Sequence, residues 1–550
     1  MIRVSWFFLW GLLVGSWNAQ AQPAARPRAV VGIMVDQMRM EYLSRFESKL
    51  GEHGFKRLMR EGFTLRNAHY NYMPTVTGPG HASVYTGTTP AVHGIIGNEF
   101  FDKVSKKMVN CVEDPAHKPI GSEGGNGDVS PWRLLSTTIT DELKLFTQKR
   151  AKVISMSIKD RGAVLPGGHM ADAAYWYDSK TGRFITSTYY MNQLPTWVDQ
   201  FNKQNKADAY LNQPWTTTFP PDQYVESGPD ASPYERKFSG KPVSAFPYNL
   251  KEMRAKNGNF DLLVYTPFSN DYLTEFATKA ITEEKLGADE ITDFLCLSYS
   301  TPDILGHAVG PNAVEIEDMY IKLDKNIEQL LTTLDKTVGV GNYTVFLTAD
   351  HAVADVPQYL KDQRIPAGTL NAENLKVRLA DFLAAHYPGK KLIENISNEQ
   401  IFLNHQAFSD EPRKAGVDLL IVKELIGQFL MDTEGVHTYF TESQLRQSDF
   451  AEGGIKGSVV RGFHHKRSGD LAVVLEPGWF ASGWVQGTTH GAPWTYDTHV
   501  PILWFGKGIP SGSSVRYYAI TDIAPTLSML LGIKLPNGCS GQPIEELFQK

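Results

Sequence analysis

Several short stretches carry Asp and His side chains able to bind a cation. Asp36 follows the apolar run Ala29–Val35, and Asp350-His351 come just after Tyr343–Thr348. Asp303 and His307 stand in Thr301-Pro302-Asp303-Ile304-Leu305-Gly306-His307, directly past Phe294–Tyr299. His490 lies in the Gly-flanked segment Gly487-Thr488-Thr489-His490-Gly491, before the run Val500–Phe505. A single Asp after a strand is more often a turn or cap residue than a ligand. Asp303 and His307, however, are four apart, which on a helical turn puts both on one face, where they can share a cation. Asp and His sets that each follow a predicted strand would collect at one edge of a sheet. Oxygen and nitrogen donors without thiolate suit Zn²⁺, with Mn²⁺ or Fe²⁺ chemically permitted.

A nucleophile and an anion grip can be read beside these ligands. In Pro74-Thr75-Val76-Thr77-Gly78-Pro79-Gly80-His81, Thr77 precedes a helix-like segment through Tyr85. A helix start offers free N–H groups to an anion. A metal ion that stabilises the alkoxide makes a Thr hydroxyl competent as a nucleophile. The alternative is that Thr77 merely caps the helix. Thr75 is the rival hydroxyl, lying further back in the connection. Lys159 and Arg161, in Ser157-Ile158-Lys159-Asp160-Arg161-Gly162, are two apart. In extended backbone they face one way, as a dianionic phosphate needs, although a solvated strand end reads the same. Asn98, in His93-Gly94-Ile95-Ile96-Gly97-Asn98, is either a neutral donor to a phosphoryl oxygen or a turn residue.

The elements that must position these groups alternate. Strands are predicted at Ala29–Val35, Lys152–Ile158, Phe294–Tyr299, Tyr343–Thr348, Leu471–Leu475 and Val500–Phe505, and helices at Val314–Leu334 and Asp522–Leu531. Continuous apolar strands separated by helices imply an α/β fold with a parallel sheet buried on both faces and ligands at the strand C-termini. Residues 170–290 and 355–465 break the rhythm and are read as cap insertions over the sheet. Residues 1–21 read as a signal peptide: Arg3, a short apolar stretch, then Ala19-Gln20-Ala21. That stretch falls short of the ~20 apolar residues that span a bilayer, and no other segment approaches it. An exported protein without a membrane span is therefore expected.

Composition closes off other classes. The 550 residues are 42% hydrophobic, 21% charged and 11% aromatic, which excludes a disordered or fibrous chain. A net charge of −6 argues against generic nucleic-acid binding. Three cysteines, Cys111, Cys296 and Cys539, exclude a disulfide framework and a Cys-rich zinc module. They allow at most one internal bridge, with no pairing indicated.

Taken together, the motifs resemble the alkaline phosphatase superfamily, and within it the phosphate-irrepressible periplasmic alkaline phosphatases of flavobacteria. The landmarks are Val35 to Arg39, Pro74 to His81, His93 to Asn98, Ser157 to Arg161, Asp303 to His307, Ala349-Asp350-His351, Lys466 to Asp470, Gly487 to His490 and Thr521 to Thr526. The resemblance implies a three-layer αβα sandwich with a central, mostly parallel sheet and inserted cap segments. It implies one catalytic domain over 22–550, acting in the periplasm as a monomer. It also implies two Zn²⁺ ions, one held by Asp303, His307 and His490, the other by Asp36, Asp350 and His351, with Thr77 facing both. Asn98, Lys159 and Arg161 would then grip the phosphoryl oxygens. The implied reaction is hydrolysis of phosphate monoesters through a phosphothreonine.

Rival activities are weighed on the same residues. Sulfatases of the superfamily resemble this chain less, because Thr77 cannot become formylglycine and the Arg of their motif is replaced by His81. Nucleotide pyrophosphatase/phosphodiesterases share the Asp, His, Thr and Asn set but lack the Lys/Arg pair, and a diester carries about one charge fewer than a monoester. An exported binding protein would have no need of a Thr between two cation sites. His464-His465-Lys466-Arg467 reads as a polar strand flank, His499 as structural or supporting His490, and Cys296 as core.

Overall fold

The computed structural model describes residues 26–122, 127–408 and 416–548. The predicted leader, 1–21, lies outside the described residues. No helix among the described residues is long and apolar enough to cross a membrane. Cys111, Cys296 and Cys539 are free thiols.

Ten strands form the central sheet: β1 (Ala29–Val35), β2 (Phe63–His69), β3 (Pro119–Ile120), β4 (Val153–Ser157), β5 (Ala173–Asp178), β6 (Arg183–Ser187), β7 (Asp293–Tyr299), β8 (Tyr343–Thr348), β9 (His499–Gly506) and β10 (Gly512–Ala519). Their order is β10-β2-β9-β8-β1-β7-β4-β5-β6-β3. All run one way except β6 and β9, which pair antiparallel with their neighbours. Every residue of β1, β7 and β8 is buried, as continuous apolar runs require when helices cover both faces.

Alternation along β5 shows the two faces directly. Ala173, Tyr175 and Tyr177 join one apolar cluster, whereas Ala174 and Trp176 join another. Five helices matter for the site: α1 (Thr77–Thr86), α2 (Asp160–Gly167), α3 (Phe268–Glu283), α4 (Thr301–Val309) and α5 (Val314–Leu334). Tyr175 meets Phe276 of α3 edge-on on the first face, while Ala163, Val164 and Leu165 of α2 pack on the second. The fold is the three-layer α/β sandwich expected.

Two boundaries differ from the expectation. The stretch 170–290 does not begin outside the sheet, because β5 and β6 are integral strands of it. Their Tyr, Trp and Phe side chains are strong strand formers, and a composition averaged over the whole stretch hides them. Leu471–Leu475 belongs to a separate four-stranded antiparallel sheet with Ile393–Ser397, Gln400–Leu403 and Val436–Thr441. That sheet has its own core, including Leu379, Ile426 and Val473. A short apolar run marks a buried strand without saying which sheet it joins.

Candidate active site

Parallel register delivers the predicted groups to one edge. Val35 of β1 lies opposite Tyr299 of β7, Met34 opposite Thr348 of β8, and Ser298 of β7 opposite Ser157 of β4. The chain leaving these four strands therefore places Asp36, Asp303, Asp350 and Lys159 side by side. On α4, Asp303 Oδ1 and His307 Nε2 are 3.2 Å apart, the one-face arrangement that their spacing predicts. His490 arrives on a loop, with Nε2 3.3 Å from the same Asp303 oxygen.

The histidines are oriented as ligands. Nδ1 of His307, His490 and His351 lies 2.8, 2.7 and 2.9 Å from the carbonyl oxygens of Thr488, Thr75 and Ala352. A carbonyl only accepts, so each Nδ1 carries a proton and Nε2 is the ring nitrogen turned toward the acids. His351 Nε2 stands 3.3 Å from Asp350 Oδ2, and its ring stacks on His490 with centroids 3.4 Å apart. Burial pushes the His351 and His490 imidazoles down to about 3 and about 4, keeping them neutral.

The carboxylates call for added positive charge. Asp36, Asp303 and Asp350 are all buried, and Lys159 is the ammonium among them, with Nζ 2.7 Å from Asp36 and 2.5 Å from Asp303. Burial raises the Asp36 and Asp350 carboxyls, and the Asp350 charge adds to the effect on Asp36. Asp36 Oδ1, Asp350 Oδ2 and His351 Nε2 are buried with no hydrogen-bond partner. Orphaned acceptors of this kind are costly unless a cation meets them, so the residues present fit a divalent metal. Donor atoms of Asp303, His351 and His490 lie within 4.8 Å of one another, as do those of Asp36, His81 and Asp350. His81 is an unsuitable ligand, since Nδ1 bonds the Thr77 carbonyl at 2.9 Å and Nε2 meets the Ser298 hydroxyl at 2.8 Å.

Thr77 opens α1, and the residue capping that helix is Val76, in extended conformation. Its hydroxyl thus makes no cap bond and lies 3.3 Å from Lys159 Nζ. Thr75 donates instead to the Ala492 carbonyl at 3.0 Å, away from the lysine. Asn98 Oδ1 accepts from Gly78 N–H at 2.6 Å, which leaves its Nδ2 as the free donor. Lys159 and Arg161 both line the cleft of about 610 Å³ above the acids, but the extended backbone expected of both holds for Lys159 alone. Lys159 caps α2 and Arg161 is the second residue within it. Asp160 in the first turn favours that helix start, because a negative charge complements the N-terminal end of the helix dipole. Arg161 Nε is buried without a partner.

The rival histidines fall elsewhere. His499 bonds the Arg66 carbonyl and stacks on His69. His464 and His465 stack on one another.

Comparison with known proteins decides the family. The family described as type I phosphodiesterase / nucleotide pyrophosphatase matches residues 30–499. The chain belongs to that family. Alkaline phosphatase PhoV of Synechococcus elongatus is 43% identical over 96% of this chain and 94% of its own length. Alkaline phosphatase PafA of Elizabethkingia meningoseptica is 39% identical over 98% of this chain and 97% of its own. The crystal structure of PafA superposes with a TM-score of 0.91 at 38% identity, covering 95% of this chain and 99% of that one.

Within this family member, some supporting residues escape a sequence reading. Gln37 donates from Nε2 to Asp303 at 2.6 Å and from its backbone to Asp350 at 3.1 Å. Asp497 accepts from Gly491 N–H and Ala492 N–H at 2.9 and 2.8 Å, steadying the loop that bears His490. Cys111 Sγ sits 3.0 Å from where a Cβ on Gly78 would stand, backing the start of α1 just after Thr77. Gln37 had one available signal, its place directly after Asp36.

Proposed function

We propose that the protein is an exported, metal-dependent alkaline phosphatase that hydrolyses phosphate monoesters through a phosphothreonine on Thr77. The observation that carries the reading is Thr77 Oγ1 beside Lys159 Nζ, over carboxylate and imidazole donors whose orphaned atoms face inward. Zinc suits this oxygen and nitrogen set. Asp303, His307 and His490 would hold one ion, and Asp36, Asp350 and His351 the other. When bound, the two ions supply positive charge to the entering and leaving oxygens.

The chain's own residues do the rest. Lys159, 3.3 Å from Thr77 Oγ1, favours the alkoxide over the hydroxyl. Thr77 Oγ1 attacks phosphorus in line, the new O–P bond forms, and the ester oxygen leaves with its electron pair. Water then attacks the phosphothreonine from the vacated side, releasing inorganic phosphate and restoring Thr77. Asn98 Nδ2, Arg161 and Lys159 hold the non-bridging oxygens, and positioning of this kind is the main protein contribution to phosphoryl transfer. A Lys/Arg pair matches the nearly doubly charged monoester better than the singly charged diester.

The test compares kcat/KM for an aryl phosphate monoester and its diester, with zinc supplied, in the parent and in Thr77→Ala. The parent is expected to prefer the monoester and to lose activity to a chelator. Thr77→Ala should retain metal while turnover falls by about a thousandfold or more. A preference for the diester points to the phosphodiesterase reading instead, and near-normal turnover in Thr77→Ala removes the nucleophile.

A further inference from the structure

The active-site cleft does not end at the metal-binding residues. Arg236 and Tyr265 line both the cleft and a second cavity of about 490 Å³ beside it. Arg236 is fixed at this junction. Its backbone N–H bonds the Ala308 carbonyl at 2.9 Å, its Nη2 bonds the His307 carbonyl at 2.6 Å, and its guanidinium lies 4.2 Å over the Trp484 ring. Nε of Arg236 is buried and has no hydrogen-bond partner.

Beyond the junction, Lys237 and Lys256 line the second cavity, with Asp261 as the acidic residue among its walls. Among the described residues, Arg236, Lys237 and Lys256 form no ion pair. The wall is braced: Asn257 Nδ2 donates to the Ser239 and Met253 carbonyls at 2.9 Å each, and its Oδ1 accepts from Ser239 N–H at 3.0 Å. In a protein of net charge −6, three unpaired cations around one concavity reverse the prevailing sign. Unpaired positive charge beside a cleft raises the local concentration of anions.

We infer that this second cavity is an anion subsite of the same active site, so that the enzyme favours phosphate monoesters whose leaving group carries a second anionic group. The inference rests on the monoester reading above. With one phosphoryl group held at Thr77, Lys159 and Arg161, the ester substituent must extend out of the cleft. The route past Arg236 and Tyr265 brings its far end to Lys237 and Lys256. The two ammonium groups, beside the Arg236 guanidinium, then serve as donors to a phosphate or carboxylate, whose oxygens accept. Separation of the two anions by a spacer is part of the recognition, because the subsite sits at a fixed distance from the nucleophile.

The probe is a series of straight-chain α,ω-alkanediol bisphosphates, each compared with the alkanol monophosphate of the same length. At one favoured length, kcat/KM for the bisphosphate should exceed that for the monophosphate by about tenfold, the size expected of one added charge-assisted contact. The gain should lie in KM. The double variant Lys237→Ala/Lys256→Ala should abolish the gain while leaving monophosphate kcat/KM within about twofold of the parent. Both lysines are exposed, so the variant is expected to fold. A bisphosphate advantage independent of chain length, or one that survives in the double variant, overturns the subsite. Failure of the parent to release phosphate from the monophosphates would instead defeat the monoester reading itself, which keeps the two failures distinguishable.

Discussion

Gln37 adopts a left-handed backbone, with φ of +65°, a conformation that costs a non-glycine residue about 1 kcal/mol or more. That conformation lets one residue serve both acids, its backbone N–H reaching Asp350 and its side chain Asp303. Gly306 makes room, since a Cβ there would stand 1.9 Å from Gln37 Oε1. Gln37 is thus a positioning residue that orients two carboxylates without facing the phosphoryl group. Residues that orient ligands are typically worth about 10- to 100-fold in metal affinity. Gln37→Ala should weaken zinc binding by that factor in a competitive chelator titration, and activity should return at raised zinc. Unchanged affinity would show that the acids hold their geometry without it. Asp36 was legible in the sequence because a strand precedes it. Gln37's partners stand 266 and 313 positions away, a distance no local pattern spans.

At the scale of elements, the approach of α1 to the end of β8 sets the distance between Thr77 and Asp350. Gly80 lets the helix come close: a Cβ there would meet the Asp350 carbonyl oxygen at 2.3 Å and the Asp350 Cβ at 2.8 Å. Backbone on both sides leaves no flexible atom to yield. Gly80→Ala must therefore push α1 away from Asp350, and a displacement near 1 Å costs about 10²-fold in rate. The expected result is a hundredfold lower kcat with the far-UV circular dichroism spectrum unchanged; an unaffected kcat would mean that the contact is not needed. The sequence showed Gly78 and Gly80 flanking Pro79, yet the partner that makes Gly80 necessary lies on another strand's exit. The start of α2 was missed for a related reason. Arg161 reads as part of the strand end until Asp160 is seen beginning a helix that packs against β4 and β5.

On the scale of the whole molecule, a second group of acids lies away from the metal-binding residues. Glu235 and Glu315, the latter in the first turn of α5, are both buried, and one oxygen of each has no hydrogen-bond partner. Burial, followed by the charges of Glu315 and Asp230, raises Glu235 far above the ordinary glutamate value of 4.5. The folded chain therefore keeps a proton that the unfolded chain releases. Its stabilising contribution is complete below pH 4.5 and is lost as pH rises toward the folded value. Glu235→Gln removes that titration and offers a donor to Glu315. The thermal midpoint of the variant should match the parent near pH 4.5 and exceed it increasingly at alkaline pH. Parallel curves for the two proteins would show that Glu235 does not carry the dependence.

The sequence by itself determined the α/β class, the Asp and His residues at strand exits, and a helix starting near Thr77, because each rests on local periodicity or immediate neighbours; that Val76 rather than Thr77 caps that helix came from the structure. It also ranked His490 ahead of His499, because His499 stands next to a buried strand. Tertiary structure alone decided that β5 and β6 belong to the sheet, that Leu471–Leu475 leaves it, and that Gln37 and Asp497 brace Asp303, Asp350 and the His490 loop. Only it joined Arg236, Lys237 and Lys256 to the cleft. Those facts depend on contacts between segments far apart along the chain, and strand pairing and close approach are settled by packing over the whole core.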